Sequence, residues 1–438
     1  MNKFISLIEE KLLPTANKIA SNDILNAIRN SMMSLAPFFI IGSIFLLLAY
    51  FPLDIYQIFI NELFGENVFK NTITSISNAT INVMGLFVLL TISYNYAIIK
   101  NTDIIYTIIC SLMSFLIITP MNNGIFPMEW FSAKGMFISI ILSITITNIY
   151  IKSKNLGIAP KMPDSVPPAV SKAFSALIPI LIIAIFSLTI RIIFSLTEFN
   201  DIHNFIFISI QKPLLSLGNN LFSLIITEII GQTLWFFGLH GNDIIGSVMS
   251  PIWLAQNEAN LQAFINNQEL PNIITTQMRN TYMLMGGSGN TLPLILCLIF
   301  FTKSTHLKKL SSLALPASIF NINEPLIFGI PIVLNPILFI PFILNTPISA
   351  IITYFSMKFG LVNLANGILI PWTTPVFISG YLVSGFSGVV LQLVLILIGF
   401  LIYYPFIKIL DNNLLKEENI NSNIINTNDD IDLSNFKF

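Results

Sequence analysis

Charge is what this sequence has least of. Only 10% of its 438 residues are Asp, Glu, Lys or Arg, against about a quarter in an ordinary soluble domain. A chain that is 54% hydrophobic and so poor in charge cannot present its surface to water, so most of that surface faces lipid. The formal net charge is -1 and no basic patch stands out, which argues against a nucleic-acid partner. Cysteine is nearly absent too. Cys110 and Cys297 each sit in an apolar run, IIYTIICSLMSF and TLPLILCLIFF, where a thiol is ordinarily inert packing. With no CxxC pair and no His/Cys cluster, neither a metal nor a cofactor is expected. A secretory signal is also missing, because Glu9 and Glu10 interrupt any apolar core of one. Ile5, Ile8, Leu12 and Ile19 instead fall near one helical face and read as a helix lying on the membrane surface.

What is present is a series of apolar runs. A membrane-crossing helix needs about 20 mostly apolar residues. The first half offers five candidates, at 32–51, 80–99, 104–119, 135–151 and 174–198. Charge between the runs supports that count. Lys3, Lys11, Lys18 and Arg29 precede the first run, and Lys152, Lys154, Lys161 and Lys172 lie between the fourth and fifth. The loops 52–79 and 120–134 hold one lysine each, Lys70 and Lys134. Alternating spans put both Lys-rich stretches on one side, the cytoplasmic side by the positive-inside rule. The prolines of 152–173 stop helix and push the preceding residues extended, so this stretch reads as a linker, ending in a helix start near Pro167 and Pro168. The Asn- and Asp-rich end reads as a disordered cytoplasmic tail. The expected divisions are a surface segment 1–31, a spanning scaffold 32–151, the linker 152–173, a fifth span with its connection 174–219, a C-terminal block 220–410 and the tail 411–438. This describes an all-α polytopic membrane protein with both termini in the cytoplasm.

The C-terminal block is irregular. Spans are expected near 220–237, 290–302, 328–355 and 376–404, and two apolar segments, 233–246 and 320–331, are interrupted by Gly, Pro and Asn. Broken backbone at membrane depth leaves peptide groups unpaired at several kcal/mol each. It survives where it is buried in protein or lines a wet cavity, and paired interruptions of this kind point to a transporter's binding site. Each segment also carries an ionisable side chain, His240 in one and Glu324 in the other. Glu324 precedes Pro325, which has no N–H to donate, so its carboxylate needs another donor such as a sugar hydroxyl, or a proton; pairing to a neighbouring helix is the structural alternative. His240 lies between Gly238 and Gly241, which let the chain turn and a ligand approach; a bond from its ring to a carbonyl is the alternative. Asn242, Asp243 and Asn323 offer hydrogen bonds to a ligand or caps to half-helices. Trp235 and Trp372 offer flat faces to a pyranose ring, or anchors at the membrane surface. Arg191 late in the fifth span could snorkel to the outer surface, and either it or Glu228 could form a helix–helix pair; neither is expected to touch substrate. The M-G-G-S-G-N turn at 285–290 lacks the Lys of a phosphate loop.

In order along the chain stand W-F-F-G-L-H-G-N, G-G-S-G-N-T-L-P-L, F-N-I-N-E-P-L-I-F-G-I-P-I-V-L-N-P and P-W-T-T-P-V-F-I-S-G, with K-M-P-D-S-V-P-P-A-V in the linker. This ordered set resembles the membrane component, enzyme IIC, of the sugar phosphotransferase system, in its lactose, cellobiose and diacetylchitobiose branch, over about residues 30–408. The resemblance implies about ten transmembrane helices plus two re-entrant hairpins, a homodimer built on the N-terminal half, and a C-terminal transport half, in a bacterial inner membrane. It further implies that Glu324 and His240 contact the sugar near the hydroxyl that receives phosphate, and that Trp372 matches the family's W-T-T-P tryptophan. It implies a disaccharide substrate and a phosphocysteine donor on a IIB partner acting in trans. Read without the resemblance, the same residues would also suit a proton-coupled secondary sugar transporter with Glu324 as carrier; an open channel fits broken, charged helices poorly.

Overall fold

The structure, a computed structural model of the chain, describes residues 18, 21–50, 54–65, 67–158, 166–330, 332 and 335–429. The surface helix expected around Ile5 to Ile19 and the centre of the 152–173 linker lie outside these residues. Every regular element among them is helical, apart from an isolated bridge between Asn122 and Ile125. Among the described residues six helices are long and apolar enough to cross a membrane: Asp23–Leu46, Val68–Ile99, Ala133–Asn155, Val170–Ser195, Phe339–Lys358 and Ile378–Glu418. Counting the interrupted pair Ile202–Gly218 and Leu221–Phe236 as one span makes seven, and Ile104–Ile118 and Leu292–Phe301 are shorter apolar helices.

The chain divides into two compact units. The first holds 1–220, 243–277 and 365–370, and the second 221–242, 278–364 and 371–438. The segments 243–277 and 365–370 thus belong with the first unit although they lie beyond residue 220 in the chain.

In the first unit the helices are apolar outside and small or polar inside. On Pro168–Ser195, Phe174, Leu177, Leu181, Ile185, Leu188 and Ile192 form an exposed stripe at helical spacing, while Ala176, Ile183 and Ser187 are buried. Small inward residues let helices approach closely without a hydrophobic drive between them. The Ser187 hydroxyl meets that of Ser114 at 2.6 Å. Arg191, one turn further, donates to the Ile117 carbonyl at 2.7 Å, one of the four unpaired carbonyls that end the Ile104–Ile118 helix.

The helix Gly241–Ile265 has no counterpart among the spans expected from sequence, because it is rich in amides rather than apolar throughout. Those amides hold irregular backbone. Asn257 Nδ2 donates to Gly367 O at 2.6 Å, and Asn260 Nδ2 donates to Asn272 O and Ala365 O at 2.8 and 2.9 Å. Gln277 Nε2 donates to Ile368 O and Ile370 O at 3.1 and 3.3 Å. These bonds draw 365–370 into the first unit.

Two expectations of coil give way to helix. The 52–79 loop contains helices Asp54–Phe64 and Val68–Asn78. The terminal helix Ile378–Asp429, broken at Gly385, continues well past 411, so the disordered tail does not begin there. Asp411 accepts from the N–H groups of Lys303 and Ser304 at 2.9 and 2.8 Å, and Glu418 from those of Thr305 and His306 at 3.2 and 3.1 Å. Two acids seven residues apart share a helical face, and here they satisfy the free donors that start the Thr305–Ile319 helix.

Asp103 ties the first unit together on the Lys-rich side. Its carboxylate meets Lys154 Nζ and Lys172 Nζ, both at 2.7 Å, and accepts from the Tyr150 hydroxyl at 3.2 Å. Burial pushes its pKa up, but the two lysines outweigh burial and hold it below the usual carboxylate value. Stability from a depressed carboxyl is present above its unfolded pKa and is lost as pH falls through the lower folded value. Asp103→Asn should therefore melt a few degrees below the unmodified chain in detergent at pH 7, and the gap should close as pH is taken below about 4.

Candidate functional site

Of the side chains expected at the binding site, Trp235, His240, Asn242, Asn323, Glu324 and Trp372 fall in the second unit and Asp243 in the first. Two helix stops position the main pair, and both follow one geometry. The helix Leu221–Phe236 ends with Gly238 in the left-handed region at φ 81°. Leu239 N–H bonds to Leu234 O, and Gly238 N–H to Trp235 O. The helix Thr305–Ile319 ends with Asn321 left-handed at φ 62°; Ile322 N–H bonds to Ala317 O, and Asn321 N–H to Ser318 O. Each is a Schellman stop, built on Gly in one case and Asn in the other. His240 follows the first stop and Glu324 the second. New helices then start at Gly241 and Glu324, the latter only six residues long. The break after Phe236 is tight: a Cβ on Gly241 would stand 1.9 Å from the Gly231 carbonyl oxygen, so only glycine fits there.

The turn between Met285 and Leu292 joins the two breaks. Asn242 Nδ2 donates to the Ser288 hydroxyl at 2.7 Å. Asn323 Nδ2 donates to the Ser288 carbonyl at 2.7 Å and to Thr291 Oγ1 at 3.0 Å. One serine thus receives the residue two after His240 and the residue one before Glu324. Gly287, at φ 100°, leaves the space that Asn323 occupies; a Cβ there would lie 2.5 Å from the Asn323 amide carbon. Asn321 extends the lattice. It accepts from Gly286 N–H at 2.7 Å and donates to the carbonyls of Trp372 and Thr374 at 2.7 and 3.1 Å. A third irregular stretch is held to the same turn by these bonds.

Behind Asn242 lies a buried ion pair absent from the sequence-based site. Arg279 Nε donates to Glu228 Oε1, and Arg279 Nη2 donates to Asn242 Oδ1 at 3.1 Å. Gln232 Nε2 reaches the other Glu228 oxygen at 3.4 Å. Glu228 stands alone in an apolar run, but Arg279 lies among Thr275, Thr276, Gln277, Asn280 and Thr281, and the 51-residue separation conceals the pairing.

His240 and Glu324 are both exposed on this chain. The imidazole packs on the Trp235 indole with ring centroids 4.2 Å apart. Trp235 itself is buried in the apolar core, and its Nε1 has no acceptor among the described residues. Glu324 makes no hydrogen bond or ion pair among the described residues, which leaves its carboxylate available as an acceptor. Trp372 is 56% exposed. Asn242 and Asn323 are engaged as above, and Asn323 makes no cap bond to the short helix it precedes. Asp243 belongs to the first unit. The described residues contain no group of three or more His, Cys, Asp or Glu able to hold a metal.

A family model described as "Phosphotransferase system, EIIC" matches residues 29–346. The chain is similar to the cellobiose-specific EIIC component of the PTS system in Geobacillus stearothermophilus, with 39% identity over 436 residues, 95% of this chain and 96% of that one. It is 32% identical to the lactose-specific EIICB component of Staphylococcus haemolyticus (strain JCSC1435), over 97% of this chain and 74% of that longer one. Among solved structures it is similar to the transporter ChbC, the IIC component from the N,N'-diacetylchitobiose-specific phosphotransferase system. That match has 40% identity and a TM-score of 0.91, over 94% of this chain and 99% of the other.

The ion pair supplies a stability test. Removing one partner of a buried pair leaves an uncompensated charge and costs about 3–5 kcal/mol, whereas replacing both with apolar residues can be near neutral. Arg279→Met and Glu228→Met should each lower the melting temperature of the purified protein sharply. The double variant should recover much of the loss, as read by thermal unfolding in detergent.

Proposed function

Because this chain belongs to the EIIC family of the sugar phosphotransferase system, we propose that it is the membrane permease for a disaccharide of the cellobiose or N,N'-diacetylchitobiose type. In this reading it binds the sugar outside, moves it across a bacterial inner membrane and presents it inside for phosphorylation. The observation that carries the reading is the pair of helix stops in one unit, each followed by an exposed titratable side chain and both held on Ser288. The relatives with the cellobiose and diacetylchitobiose names match nearly the whole chain, which supports β-linked glucose or N-acetylglucosamine units as the substrate class.

The chemistry assigned to the residues is modest. Glu324, unpaired by protein groups among those described, accepts a hydrogen bond from the sugar hydroxyl that will be phosphorylated. His240, backed by Trp235, contacts the same hydroxyl or its neighbour. Trp372 offers its exposed face to a pyranose ring, a contact worth about 0.5–1.5 kcal/mol beyond its area. Asn242 and Asn323 hold the backbone that carries the pair. The hydroxyl oxygen attacks phosphorus on a IIB phosphocysteine, the S–P bond breaks, the thiolate leaves, and the hydroxyl proton passes to Glu324 or to water. Cys110 and Cys297 are both buried and suit no such carrier role, so the phosphocysteine lies on a IIB part outside these residues. A fused lactose EIICB relative supports that pairing of parts. Phosphoryl transfer of this kind depends chiefly on positioning. About ten spans, two re-entrant hairpins around the breaks, and a homodimer through the N-terminal half complete the proposal.

The test is uptake into vesicles containing the purified chain. With phosphorylated IIB inside, labelled cellobiose or diacetylchitobiose should accumulate as its phosphate. Uptake of free sugar that needs no IIB and collapses with the proton gradient would instead identify a proton-coupled transporter. Glu324→Gln should keep part of the sugar affinity while phosphorylation falls by about 10²-fold or more, the scale of a lost general base; turnover at the unmodified rate would remove Glu324 from that role.

A further inference from the structure

We infer that Arg279 is a positioning residue for this site: its bridge to Asn242 sets the separation of His240 from Glu324. The inference rests on the functional reading above for its kinetic consequence, and on geometry alone for its structural one.

A substrate-facing role does not account for Arg279. Its side chain is 11% exposed and its charge is matched by Glu228, which is 1% exposed. A neutral disaccharide has no need of a cation, and a buried ion pair contributes little net stability over apolar residues of similar size. What the pair supplies is direction. A guanidinium presents its donors in a rigid planar fork, and here one arm meets Glu228 on the helix before His240 while another meets Asn242 on the helix after it. The fork therefore ties Glu228, before the break in which His240 sits, to Asn242 just after it.

The constraint does not stop at Asn242. Both ends of that amide are occupied, Oδ1 by Arg279 and Nδ2 by the Ser288 hydroxyl at 2.7 Å, so the side chain has no freedom to rotate. Ser288 in turn receives Asn323 at its carbonyl, 2.7 Å away. An unbroken line of polar contacts, Glu228–Arg279–Asn242–Ser288–Asn323, runs from the support of His240 to the neighbour of Glu324. Lysine at 279 would keep the charge opposite Glu228, but its single ammonium cannot reproduce the two-armed bridge. Loosening one link lets the pair drift, and a misplacement near 1 Å can slow a reaction by about 10²-fold without removing any reacting group.

The test uses the full-length chain with Arg279→Lys, Asn242→Ala and the double variant. In one arm, spin labels are placed at Leu239→Cys and Ile322→Cys, with Cys110 and Cys297 replaced by serine, and the inter-label distance distribution is measured. Arg279→Lys should broaden or shift it; an unchanged distribution overturns the inference whatever the protein transports. In the other arm, dissociation constants for cellobiose and diacetylchitobiose are compared with the rate of phosphoryl transfer from phosphorylated IIB at saturating sugar. Arg279→Lys and Asn242→Ala should keep affinity within about threefold and slow transfer at least about tenfold. Acting through one line of contacts, they should not add in the double variant. Transfer at the unmodified rate, losses that multiply, or affinity falling in step with rate would overturn the inference. Sugar that binds the unmodified chain but is not phosphorylated by phosphorylated IIB would refute the functional reading alone, leaving the label distances to decide this one.

Discussion

Peptide groups released at a helix break have no water to turn to in an apolar interior, and this protein meets the need with side-chain amides. An Asn or Gln side-chain amide offers N–H donors and a carbonyl acceptor, the kinds of group that the peptide bond itself offers. Asn257, Asn260 and Gln277 serve 365–370, Asn321 and Asn323 serve the 285–291 turn, and Asn345 Nδ2 donates to Asn290 O at 3.0 Å. Gln392 does the same near Trp372, accepting from Phe377 N–H at 2.7 Å and donating to Thr281 O at 2.9 Å. Without these partners each freed peptide group would cost several kcal/mol in hydrocarbon.

The same constraint shapes the chemistry. A Schellman stop turns the chain sharply and hands the next residues to the surface, so the side chains that follow it need not pack. His240 and Glu324 occupy those places, both exposed, while the asparagines beside them are absorbed in the lattice. In the proposed site, reactive and supporting roles are thus divided between adjacent residues. The support is rigid because its links are short, between 2.7 and 3.1 Å from Arg279 through Asn242 and Ser288 to Asn323.

Much of this was legible in the amino-acid sequence where the signal is local. The five apolar runs of the first half correspond to helices Asp23–Ala49, Met84–Ile99, Ile104–Ile118, Met136–Asn155 and Pro168–Ser195. The breaks at Gly238 and near Asn321 could be placed because a left-handed stop favours Gly and Asn. Signals that depend on distant partners were not legible. The helix Gly241–Ile265 carries too many amides to read as a span, and its polarity makes sense only against 365–370. The 285–290 turn was recognised for the phosphate loop it is not, whereas its role follows from Asn242 and Asn323, 46 and 35 residues from Ser288. Asp411 and Glu418 look like part of a solvated tail until the start of the Thr305–Ile319 helix is set beside them.

The central claim is that the two stops form the seat of a sugar. The most direct measurement is an experimental structure of the protein in a lipid nanodisc with a bound cellobiose or diacetylchitobiose. The account predicts density for the disaccharide with one hydroxyl within about 3 Å of the Glu324 carboxylate and of His240, a ring against Trp372, and the Arg279–Asn242–Ser288–Asn323 contacts intact. Sugar density away from both residues, or a Glu324 carboxylate turned into lipid, would contradict it.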